Sequence, residues 1–73
     1  MGTIRWMCSE GDRQVTWSVT DAASLDSARE MVERAFAEGR GVFRIGEDGV
    51  GERLHEFDPQ AREIVVIPQI KGG

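Results

Sequence analysis

Ile64-Val65-Val66-Ile67-Pro68-Gln69-Ile70-Lys71-Gly72-Gly73 is the stretch that decides the fold. Its first four residues are continuously apolar and β-branched, which suits a strand with other strands on both sides. Pro68 cannot donate to a ladder and ends the run. Beyond it, Gly72 and Gly73 have no side chain to bury and offer a thin, unhindered backbone that fits a narrow channel better than a core. The expectation is one domain over residues 1–71, with a tail from about residue 68 and a diglycine at 72–73 as the functional end.

A central strand needs neighbours, and the rest of the chain supplies them. Thr3 to Ser9 alternates, with Ile4, Trp6 and Cys8 on one face and Arg5 and Met7 on the other, and reads as a strand. Glu10-Gly11-Asp12 supplies turn residues, after which Val15, Trp17 and Val19 alternate with polar partners to complete an amphipathic hairpin. Ser24 then suits an N-cap, and Leu25, Ala28, Met31, Val32, Ala35 and Phe36 recur at helical spacing up to a C-terminal stop at Gly39. Val42 to Ile45 reads as a short strand, Gly46-Glu47-Asp48-Gly49 as a turn, and Glu52 to Phe57 as a polar edge strand that Asp58-Pro59 breaks. The order is ββαβββ, an α+β chain. With a single helix to cover one face of a mixed sheet, the economical arrangement puts the last strand in the centre, parallel to the first and beside the third.

Composition narrows the function. Seventy-three residues make one small domain with a stability of about 4–10 kcal/mol and no room for a separate catalytic unit. The chain has 13 acidic and 9 basic residues, a net charge of −4, which disfavours phosphate-backbone binding and favours a partner with a basic docking face. One cysteine excludes an internal disulfide, and neither an apolar run of membrane-spanning length nor a signal-peptide pattern occurs, so the expected location is cytoplasmic with no membrane partner. The basic residues are eight arginines and the single lysine Lys71. Chemistry that acylates lysine side chains therefore finds one acceptor, next to the diglycine.

Hairpin, helix, two short strands, then a central apolar strand running through Glu63, Ile64 to Ile67, Pro68 and Ile70 to Gly72-Gly73 resembles the ubiquitin-like β-grasp proteins. The last eleven residues look most like prokaryotic sulfur carriers of the ThiS/MoaD type, with Gln69 where a second proline is usual and Lys71 where a small residue is usual. The resemblance implies a β-grasp fold and a chain that is a substrate and not an enzyme, with no cofactor of its own. It also implies a ubiquitin-activating-type adenylating enzyme as partner, which converts the Gly73 carboxylate to an acyl-adenylate. Pro68, Gln69, Ile70 and Lys71 form the recognised tail. An activated Gly73 then has two fates: it passes sulfur, as a thiocarboxylate, to a sulfur-accepting enzyme, or it is joined to an amine on a modified target protein. A third reading is a non-covalent β-grasp binding module of the phage-assembly or secretion kind, with the diglycine incidental.

A docking patch is expected independently of the tail. One helix covers one face only, so alternate residues of the last strand, Val65 and Ile67, together with Met7, form an exposed apolar patch. Cys8 shares a face with Ile4 and Trp6 and reads as core packing. His55 has no second ligand at metal-binding spacing, and the acidic, glycine-rich segment 46–52 lacks the residues of a phosphate or calcium loop. Trp6 and Trp17 are the expected core anchors.

Overall fold

Alternating side chains build an antiparallel hairpin from β1 (Gly2–Cys8) and β2 (Gly11–Trp17), paired from Gly2↔Trp17 to Cys8↔Gly11. The computed structural model describes residues 1–8 and 11–68. The helix α1 (Ala22–Ala37) follows, then β3 (Val42–Ile45), β4 (Gly51–Arg53) and β5 (Glu63–Val66). The five strands form one mixed sheet in the order β2-β1-β5-β3-β4, so β5 is its middle strand. It lies parallel to β1, with Ile4↔Ile64 and Trp6↔Val66, and antiparallel to β3, with Val42↔Val66.

Burial explains why one face of the sheet carries the helix. Ile4, Ile64, Val66 and Val42 are fully buried in one cluster with Ala28, Val32 and Ala35 of α1. Positions 28, 32 and 35 lie on one helical stripe, and the two alanines leave room for the sheet side chains to fill. Each buried Ile or Val contributes about 1.5–3 kcal/mol of transfer free energy. Trp17 closes the end of this core: it is 1 % exposed, stacks edge-to-face on Phe57 at 5.3 Å, and its indole N–H donates to the Pro59 carbonyl at 3.2 Å.

Several expected boundaries move, each for a physical reason. The helix starts before Ser24: Asp21 is the N-cap, accepting from the Ser24 N–H, because Ala22 and Ala23 are good helix formers that extend the first turn. Ser24 serves instead as a clasp, its Oγ accepting from the Ser18 N–H and donating to the Asp21 carbonyl, each at 3.0 Å. Val19 does not continue the second strand but sits 47 % exposed in the turn that leads to the helix. Gly11 and Asp12 belong to β2 rather than to a turn. The fourth strand is three residues long, not six, because Leu54 and Phe57 both turn into the core and a spacing of three is incompatible with strand alternation.

The end of the helix behaves as its sequence indicates. Gly39 has φ +74°, its N–H donates to the Phe36 carbonyl and the Arg40 N–H to the Ala35 carbonyl, the paired bonds of a Schellman motif. That motif directs the next residues back toward the sheet, where Arg40 lies over the Trp6 ring with its guanidinium carbon 4.6 Å from the centroid. Trp6 is thus half-buried under a cation, while Trp17 is the true core anchor.

Candidate functional site

β5 leaves the sheet between β1 and β3, at the end that also holds Trp6, Met7, Gly41 and the C-terminus of α1. Among the described residues, its pairing is extended past Val66 by the bond from the Ile67 N–H to the Gly41 carbonyl at 3.0 Å. Pro68 follows, exposed and without an N–H to continue the ladder. The tail residues Gln69, Ile70 and Lys71 and the diglycine Gly72 and Gly73 lie outside the described residues. What the structure supplies is therefore the strand that leads toward them, held on both sides by neighbours.

Beside this root lies the face of the sheet that α1 does not cover. Register puts Arg5, Val65, Phe43 and Arg53 in one row across four strands of that face, and Thr3, Glu63, Ile45 and Gly51 in a parallel row. Met7, Val65 and Ile67 all belong to it, as their alternation requires. Met7 is 37 % exposed, while Val65 and Ile67 are half-buried. The patch is larger than those three residues, because Phe43 and Ile45 of β3 present the same face and are also half-buried. Their positions were readable from the alternation Val42-Phe43-Arg44-Ile45, with Val42 committed to the core.

Charge frames the apolar row. Arg5 pairs with Glu63 at 3.5 Å, whereas Arg53 makes no ion pair among the described residues. Both guanidinium groups flank the Val65 and Phe43 side chains by register, so the face combines a central apolar strip with cationic borders. That composition suits a partner surface that is apolar in the middle and polar at its rim.

The remaining candidates fall away from this face. Cys8 is half-buried at the end of β1, outside the buried core, and its thiol faces the Gly11 carbonyl at 2.6 Å. The core reading for Cys8 is thus replaced by a partly exposed hairpin position. His55 is exposed after β4, and among the described residues no group of three or more metal-ligating side chains occurs. Segment 46–50 is a hairpin connection, closed by the Gly46 N–H to Val50 carbonyl bond and by Asp48 accepting from the Val50 N–H, each at 3.0 Å. Among the described residues no helix is long and apolar enough to cross a membrane.

Arg44 is a framework residue. It pairs with Glu52 at 2.8 Å and Asp58 at 3.1 Å, tying β3 to β4 and to the loop before β5. Its pKa is raised above the ordinary arginine value, first by the hydrogen bond and charge of Glu52 and then by Asp58.

No protein-family model matches the chain, and no curated protein and no solved structure gives a significant match to it.

Proposed function

We propose that this chain is a ubiquitin-like β-grasp carrier whose Gly73 carboxylate is activated by an ATP-dependent adenylating enzyme and then bears sulfur as a thiocarboxylate. The observation that supports this reading most is the placement of β5: the strand that leads to the diglycine is the middle strand of the sheet, beside an apolar face. A tail rooted in the centre of a sheet has a fixed origin, so an enzyme that docks on the neighbouring face receives the residues after Pro68 at a defined distance. Met7, Val65 and Ile67, enlarged by Phe43 and Ile45, form the docking strip. A mixed sheet carried by one helix, with its last strand central and parallel to its first, supports the β-grasp assignment.

The chemistry follows from the inertness of a carboxylate. Its oxygen attacks the α-phosphorus of ATP, pyrophosphate leaves, and the product is a mixed anhydride with AMP as leaving group. A hydrosulfide-class nucleophile forms the C–S bond as the bond to AMP breaks, which leaves the thiocarboxylate. Without a Cβ at either residue, the last two units are narrow enough to approach the enzyme's nucleotide site closely.

Intact mass spectrometry of the protein recovered from its native host tests this reading. A mass gain equal to the replacement of one oxygen by sulfur, absent when Gly72 and Gly73 are deleted, is the expected result. A Gly73-linked adduct on another protein establishes conjugation instead. If only the free acid is found and the truncated chain still supports the host function, the diglycine is incidental and the non-covalent binding-module reading replaces the carrier.

A further inference from the structure

Although the chain carries a net charge of −4, it places three guanidinium groups around one hollow. Arg13 of β2, Arg34 in the last turn of α1 and Arg40 beyond its C-terminus line a cavity of about 160 Å³ over Trp6 and Met31. Arg13, Met31 and Arg34 also line an adjoining cavity of about 320 Å³, whose other walls are Val15, Ser27 and Glu30. Trp6, Val15 and Met31 are half-buried and pack against the core, so the floor of both cavities is apolar and held in place.

Converging like charges repel unless an anion sits between them. Glu38 meets this in part: its carboxylate holds Arg40 at 2.7 Å, and the Trp6 ring holds the same guanidinium at 4.6 Å. Arg13 and Arg34 are exposed and make no ion pair among the described residues. The helix dipole would account for Arg34 alone, and protection of an edge strand for Arg13 alone. Neither role brings the two to one hollow. The larger cavity is different in character, because Ser27 and the Glu30 carboxylate line its far end beside Val15. That end repels an anion and accepts hydrogen bonds from an N–H or O–H donor.

We propose that the two cavities form one site for a nucleoside monophosphate whose base carries an amino group. The phosphate lies among Arg13, Arg34 and Arg40, the base lies on Met31 and Val15, and its exocyclic amine donates to Glu30. Guanidinium forks match phosphate oxygens in pairs, and a thioether makes favourable contact with an aromatic ring. Together the cavities fall within the range of about 300–1,000 Å³ that small-molecule sites occupy. A nucleic-acid strand is a poor occupant, since its flanking phosphates would meet the acidic remainder of the chain, whereas a single phosphate meets the arginines alone. This inference does not rest on the carrier reading, because the site uses none of residues 69–73 and the nucleotide is bound without being transformed.

The test titrates the isotope-labelled full chain with AMP, with no adenylating enzyme present, and follows amide, indole and methyl resonances. Shifts should cluster at Trp6, Arg13, Met31 and Arg34, saturate, weaken with salt, and persist after deletion of residues 69–73. Arg13→Gln and Arg34→Gln should each weaken binding about threefold to tenfold while the spectrum of the folded domain is retained. Changes to the ligand leave the protein untouched: adenosine and inorganic phosphate should each bind at least about tenfold more weakly than AMP, and inosine monophosphate, which lacks the amine, about threefold more weakly. Glu30→Ala should abolish that last preference. The proposal is overturned if AMP binding does not saturate, or if inorganic phosphate binds as well as AMP, which would mean an adventitious ion only. It is equally overturned if both arginine variants bind like the wild type, if Glu30→Ala keeps the preference for AMP over inosine monophosphate, or if the shifts fall on the Val65 face.

Discussion

The carbonyl of Gly41 accepts from the Ile67 N–H at 3.0 Å, and the side chain that Gly41 lacks is the space Ile67 occupies. A Cβ at residue 41 would come within 2.9 Å of Ile67 Cδ1 and Cγ1 and 3.0 Å of Phe43 Cε1. Glycine is needed at 41 for this close approach, which seats Ile67 just beyond the end of β5.

Gly41→Val should therefore destabilise the domain by about 1–3 kcal/mol, the usual cost of overpacking. Urea unfolding measures this, and an unchanged midpoint would contradict the packing described. On the proposed carrier reading, crowding of Ile67 should also lower acyl-adenylate formation at Gly73 further than stability alone explains, at temperatures where the variant is fully folded.

At the start of the helix, the cap is weaker than the clasp. Asp21 Oδ1 accepts from the Ser24 N–H at 3.4 Å, a long bond, whereas Ser24 Oγ holds both Ser18 and Asp21 at 3.0 Å. Asp21→Ala should cost about 0.5 kcal/mol, the low end for caps. Ser24→Ala should cost about 1 kcal/mol or more, since it strands a partly buried N–H. Thermal unfolding of the pair decides the order, and a larger loss for Asp21→Ala would reverse the assignment.

Arg44 predicts a pH profile. A cation whose pKa is raised on folding contributes stability that is fully present below its unfolded pKa and is lost only as pH rises through the folded value. With the shift upward from the ordinary arginine value, that loss lies above the working range, so Arg44→Gln should lower the unfolding midpoint by the same amount at roughly pH 7 and pH 9. The Arg44 side chain is 40 % exposed and Glu52 68 %, so the penalty should shrink as salt is added. A penalty that grows with salt would assign Arg44 a packing role instead.

Much of the fold was legible because the apolar run Ile64 to Ile67 has few places to go. Four consecutive β-branched or aliphatic residues fill both faces of a strand, and β5 is indeed flanked by β1 and β3. Gly39 was legible for the same kind of reason, a helix stop that calls for positive φ. The boundaries that moved were set by tertiary contacts. Phe57 leaves the strand pattern to meet Trp17, and Val19 gives up burial so that Ser18 can meet Ser24. At the candidate site, alternation placed Met7, Val65 and Ile67 on one face, and the alternation of Val42 to Ile45 carried the signal for Phe43 and Ile45, which the register with β5 sets beside them. The hollow between β2 and α1 was not legible at all, because Arg13 and Arg34 are distant in sequence and only the fold makes them line one cavity.

The central position of β5 also fixes an order of events in time. The hairpin of β1 and β2 and the hairpin of β3 and β4 share no ladder with each other; both are zipped to β5. Thr3 meets Glu63 only after all the residues between them have been made, a loop closure whose entropy must be met late. On the ribosome, residues 1–62 can form two hairpins and a helix but not the sheet that joins them. Until β5 emerges, its vacant slot exposes the inner edges of β1 and β3, two unpaired strand edges open to aggregation until synthesis supplies the strand that joins the sheet.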